Sequence, residues 1–294
     1  MFETMDELIC LVKRGYALRI LPLLAITCCF TLELAPVRCS SDPLQETAKQ
    51  LLQKVVDREL RDAQEDHSLW TYDRTTRQSG HAIVKKVMET RQGDIERLIS
   101  MDGKPLTYEQ QEKEKKRLQS LLADPKAAKN LQKDRDQDAK RAQHLLGALP
   151  SATIASYGAR RGNIIELRFE PNPAFHSTSH ETEVLHSMSG TILVDSSQDR
   201  IAQIDGQIVK PVKFGGGLLG HLDKGGTFHV IQSQVQPGHW ETTKLIVHMR
   251  GKALLFRTVN VEQDESRTNF EQMPGDLSLA QAVKKLKETS SAGG

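Results

Sequence analysis

The chain has 294 residues, with 40 basic and 38 acidic side chains for a formal charge of +2. So even a balance gives no electrostatic basis for a nucleic-acid partner. All four cysteines, Cys10, Cys28, Cys29 and Cys39, fall within the first 39 residues, which leaves the remainder without a disulfide scaffold or a thiol nucleophile.

Residues 1–39 read as a secretory signal peptide. An apolar run over residues 20–32 follows Lys13, Arg14 and Arg19, giving a positive n-region and an h-region of 13 residues. That run is too short to span a bilayer comfortably. Glu3, Asp6 and Glu7 are out of place in an n-region and move the expected start to Met5 or later. A lipid anchor needs a small residue before the modified cysteine, whereas Thr27, Cys28 and Arg38 precede Cys28, Cys29 and Cys39. The expectation is cleavage between residues 36 and 41 and a periplasmic or secreted protein. The mature chain, of about 255 residues, then has no lipid anchor and no membrane span. That length suffices for one disulfide-free core.

Residues 44–60 place Leu44, Ala48, Leu51, Leu52, Val55, Val56 and Leu60 on one side of a 3.6-residue period, which predicts an amphipathic helix. Three antiparallel strands follow over residues 69–77, 81–90 and 94–101, divided by Ser79-Gly80 and Gly93 and closed by Asp102-Gly103. Residues 107–147 form a charged helical pair. Thr107 and Gln110 make a capping box, Asp124-Pro125 opens the second helix, and Gly147 with Pro150 closes it. Leu118, Leu121, Leu122, Leu131, Ala142, Leu145 and Leu146 give this pair only a narrow apolar stripe, which places it at the domain edge. It is either a lid or partner-binding arm, or a solvated connection.

Residues 152–270 read as a series of strands, with helical character only near 178–186 and turns at Asp205-Gly206, Pro237-Gly238 and Arg250-Gly251-Lys252. Leu245, Val247 and Met249 alternate with Lys244, Ile246, His248 and Arg250, as in a sheet with one wet face. A last helix is expected over residues 277–288, with a disordered tail after it.

No catalytic constellation emerges. Gly215, Gly217 and Gly220 spell G-x-G-x-x-G with Glu241 behind them, but the residues that follow lead into a strand and not a helix. The glycines read as a crossing where backbones approach closely. His176, His180 and His186 cluster with Glu181 and Glu183 without the spacing of a zinc-protease helix, and read as surface histidines. Trp70 and Trp240 each sit near the start of a strand and are expected to close one end of the core. Catalytic residues, cofactors and metal ligands are accordingly expected to be none.

The order of elements over residues 44–270, with the stretches 190–195, 201–212 and 240–250, resembles the bacterial outer-membrane lipoprotein carrier superfamily. That superfamily includes the LolA-type carriers and periplasmic envelope-stress regulators. Pro171-Asn172-Pro173 and the glycine run at 214–220 are similar to a group of secreted proteins of soil bacteria. The resemblance implies an α+β fold in which a curved antiparallel sheet, a half-barrel, wraps around helices over residues 40–276, with the helical pair as an insertion. It also implies a non-enzymatic envelope protein binding a lipid acyl chain or a lipidated protein. Leu51, Val55, Ile192, Val194, Phe228, Val230, Leu245 and Val247 are the candidate groove residues. Two alternatives remain: a periplasmic sensor that binds an envelope protein through the helical pair, and an exported hydrolase with a dispersed site. The oligomeric state is left open.

Overall fold

Helix α1 (Ala48–Glu65) begins where the capping chemistry demands. The Thr47 hydroxyl accepts the Gln50 amide at 3.2 Å, and the Gln50 side-chain oxygen accepts the Thr47 amide at 2.8 Å. The computed structural model describes residues 46–124, 126–217, 219–253 and 257–288. The expected signal peptide, Leu44, Pro125 and the last six residues lie outside these segments. No helix among the described residues is long and apolar enough to cross a membrane.

After α1 come β1 (Leu69–Gln78), β2 (His81–Met88), β3 (Ile95–Met101) and β4 (Lys104–Pro105), then α2 (Tyr108–Ala123) and α3 (Ala127–Ala152). The chain continues through β5 (Thr153–Arg161), β6 (Ile164–Pro171), α4 (His180–Leu185), β7 (Met188–Asp195) and β8 (Arg200–Ile208). Two short strands, β9 (Val212–Phe214) and β10 (Gly220–Leu222), precede β11 (Thr227–Gln236), β12 (His239–Ala253), β13 (Arg257–Met273) and α5 (Leu279–Glu288).

The fold is α+β, as expected: five helices and one open antiparallel sheet of 13 strands among the described residues. Its order is β4-β3-β2-β1-β13-β12-β11-β8-β7-β6-β5, with β10 pairing β12 and β9 pairing β10 off this path. Pairing of β1 with β13, from Leu69↔Met273 to Arg77↔Asp264, ties the two ends of the chain together.

The apolar face of α1 lies on one face of the sheet. Leu51, Leu52, Val55 and Val56 pack there with Leu167 and Phe169 of β6, Ile192 and Val194 of β7, and Ile201 and Ile208 of β8. Leu149 and Leu146, in the last turns of α3, join this core. A second core lies on the reverse face of β1–β3. Leu69, Met88 and Ile95 alternate with Trp70, Val87 and Glu96, so they point away from the first core, and Leu118 of α2 with Val283 and Leu286 of α5 cover them. Arg97 reaches the end of α5, donating to the carbonyls of Leu286 and, at 3.1 Å, Lys287.

Three expected boundaries move. Asp205-Gly206 is no hairpin: β8 runs through it, and Gly206 pairs with Gly190. A Cβ on Gly190 would stand 1.8 Å from the Asp205 carbonyl oxygen, and the Phe228 ring occupies the place of a Cβ on Gly206, at 2.1 Å. Arg250-Gly251-Lys252 likewise lies inside β12, with β10 crossing so closely that a Cβ on Gly251 would meet the His221 oxygen at 2.1 Å. Nor do Gly147 and Pro150 end α3, which runs on to Ala152. A proline this near the end removes one hydrogen bond without breaking the helix, and the buried Leu149 and Ala152 hold its last turn in the core. The expected turn at Pro237-Gly238 and the capping box at Thr107 and Gln110 are present.

The two ends of the sheet differ. Along the outer side of β3, Glu114 of α2 accepts the Leu98 amide at 2.9 Å, and Arg117 donates to the Glu96 carbonyl. Side chains thereby take the place of a neighbouring strand. At the other end, β5 is the last strand.

Candidate functional site

The buried stripe of α1 continues past Val55 and Val56 to Glu59 and Ala63, which puts a carboxylate where an apolar side chain belongs. Arg200, at the start of β8, receives it. Arg200 Nε and Nη2 each donate to a Glu59 oxygen at 3.0 Å, the Ile201 amide donates to Glu59 Oε1 at 2.9 Å, and Arg200 Nη1 bonds Asp62. This two-pronged pairing is the strongest geometry available to a guanidinium. Burial nevertheless pushes the Glu59 carboxyl above its ordinary range, with Arg200 opposing. Lys54 bonded to Asp199 at 2.8 Å adds a second, exposed tie between α1 and the turn before β8.

Around this latch opens a cleft of about 350 Å³, lined by the end of α1, by Arg200 and Gln232, and by the turn from Gly238 to Thr242. The Arg200 guanidinium lies 5.8 Å from the Trp240 ring centroid, and the Trp240 indole donates to Gln198 at 3.0 Å. His239 contacts Asp66 at 3.1 Å and meets the edge of Trp70, with ring centroids 5.5 Å apart. Trp70 is fully buried, as expected, whereas Trp240 stands at the mouth of the cleft. The cleft offers hydrogen-bonding groups and one aromatic wall to a polar group at the end of α1.

Of the eight expected groove residues, Leu51, Val55, Ile192, Val194 and Val247 are buried in the main core, and Phe228 and Leu245 pack against it part-buried. Val230 is half-buried beside its register partner Leu245. The structure therefore gathers seven of them in one core and places the eighth beside it, with α1 seated on the strands. None of the eight lines the cleft, although Val230 lies only two residues along β11 from Gln232.

The same face of the sheet turns charged toward β1. Val247 pairs with Gln263, Thr76 with Glu265, and Arg74 with Arg267. Arg267 bonds Glu265 at 2.7 Å and lies 5.3 Å from the Tyr72 ring centroid, while Arg74 and Lys85 both bond Glu96. Burial opposes ionisation of Glu96, but Arg74 and Lys85 hold its carboxyl below the ordinary range. Asp94 goes the other way: burial, and then the charge of Glu89, push it up to about 7.

The three clustered histidines line a second, wider cleft of about 900 Å³ with Lys210 and Lys213. His186 contacts the Asn172 carbonyl at 2.7 Å, and His180 meets Phe214 edge-on at 5.1 Å. Among the described residues, no group of three or more His, Cys, Asp or Glu stands ready to hold a metal ion. Gly215–Gly217 forms a tight turn between β9 and β10, with positive φ at all three positions, and opens no helix.

No family model matches the chain, and no curated protein and no solved structure matches it. The latch residues Glu59, Asp62 and Arg200 escape a reading of the sequence because 141 positions separate Glu59 from Arg200. The one signal present is a glutamate in the apolar stripe of α1.

Proposed function

We propose that this is a non-enzymatic envelope protein that binds a hydrophobic or lipidated ligand between α1 and the apolar face of the sheet, as the resemblance to the lipoprotein carriers implies. In this reading the sheet curves as a half-barrel around α1, α2 and α3 form a charged helical pair beside it, and the leader carries the chain into the periplasm or beyond.

One observation carries the reading. A broad apolar sheet face, from Phe169 and Leu167 through Ile192 and Val194 to Ile208 and Val247, is covered along its length by the amphipathic helix α1, with the end of α3, Val184 of α4 and Phe214 and Leu222 of the β9–β10 pair packed into the same core. The magnitudes permit exchange. Uncovering four buried Leu and Val side chains of α1 costs about 6–12 kcal/mol, and hiding a chain of about 16 methylenes returns about 13 kcal/mol. Leu149 and Pro150 are the largest buried apolar residues of α3. Its middle rests on the turn at residues 89–94 through Arg135, which donates to the carbonyls of Arg91 and Thr90.

Val230 gives the test, because it is half-buried and a charge there leaves the core packing intact. A fluorescent acyl-chain probe should bind the wild-type protein, and Val230→Arg should lower its affinity by about tenfold or more, since the guanidinium is stripped of water where the chain enters. Circular dichroism melting shows whether the variant is folded. Undiminished binding by a folded variant removes the groove from this face.

A further inference from the structure

Among the described residues, β5 ends the main strand order with no further strand on its outer side. The opposite end is closed by side chains of α2, and α2 and α5 cover the reverse face of β1–β3. Among the described residues β5 pairs with no strand but β6, and the Tyr157 hydroxyl donates to the Glu46 carbonyl at 2.8 Å ahead of α1. Two of the six large exposed hydrophobic residues among those described lie on it, three positions apart: Ile154 at 56% and Tyr157 at 44% exposure. An edge of this kind is a template for another strand.

Its chemistry narrows the partner. A bulge between Tyr157 and Arg160 interrupts the pairing with β6, so the regular edge is residues 153–157. Arg160 and Arg161 follow at one end, both exposed, while Glu170 stands beside Ile154 at the other. The edge is thus basic at one end and acidic at the other. A parallel copy would stack arginine on arginine. An antiparallel copy sets each arginine pair toward the end that carries the partner's glutamate and brings the two Ile154 side chains to diagonal positions on one face. The pattern is complementary to itself, which is the requirement of a two-fold contact.

We propose that residues 153–157 form a self-association surface on which a second copy of this chain pairs antiparallel, joining two sheets into one. Five residues per strand make a small interface, so the dimer belongs to the weak, reversible class.

Sedimentation of the protein, in the form its producing cells accumulate, tests this over about 1–200 µM. The expected result is a monomer–dimer equilibrium that Ile154→Lys weakens by about tenfold or more, with unchanged thermal melting because the side chain is exposed. Hydrogen exchange supplies the second reading: amides within 153–157 should gain protection as concentration rises. A monomer at every concentration overturns the proposal. So does a dimer indifferent to both Ile154→Lys and Ser156→Lys, or one that leaves these amides unprotected.

Discussion

Replacing Arg200 by alanine is expected to destabilise the fold by about 3–5 kcal/mol, because it strands a buried carboxylate without its cation. Glu59 is 4% exposed and keeps only the Ile201 amide once the guanidinium is gone. Its carboxyl, already held above the ordinary range by burial, must then rise further and take up a proton, so the deficit should shrink as pH falls. Urea unfolding followed by tryptophan fluorescence measures it, with Trp240 reporting beside the lesion. The double variant Glu59→Leu with Arg200→Met should recover most of the loss, since a buried pair is often no better than well-packed apolar groups. Equal losses in the single and double variants would show that Arg200 acts by packing and not by charge.

The second large effect concerns pH. Asp94 sits at about 7 in the folded chain against an ordinary 3.8, raised by burial and by Glu89. An acid whose folded value is raised carries no penalty below its unfolded value and a growing one above it. Stability should therefore fall as pH rises from about 4 to about 7 and stay level beyond. Asp94→Asn should remove that slope. At pH 8 the variant should be more stable than the wild type by about 2–4 kcal/mol, and near pH 4 the two should agree. Parallel stability curves across this window would mean that Arg74 and Arg267 already offset the Asp94 charge.

Much of the fold was legible where the signal is local. The Thr47 and Thr107 caps, the stripe of α1 and the alternation of β1–β3 each depend on residues within a turn or a strand of one another. What failed was glycine. Gly206 and Gly251 next to charged residues read as turns, yet both lie mid-strand because Phe228 and the β10 backbone occupy the space a side chain would take. Nothing near them in the chain reports those neighbours. Proline misled at α3 for a related reason: Pro150 ends a helix in isolation, but the core formed by Leu146, Leu149 and α1 carries it one turn further. The apolar residues expected to face a ligand do share one face, while the ion-pair latch and its cleft are products of tertiary structure.

The face beneath α1 is proposed to hold an acyl chain. Native mass spectrometry of the protein purified from its producing cells, with the organic extract analysed alongside, addresses it most directly. The expected result is an adduct near one acyl-bearing molecule per chain that is lost in Val230→Arg. A fully unliganded mass, with an extract free of stoichiometric lipid, would contradict it and leave α1 as a permanent part of a closed core.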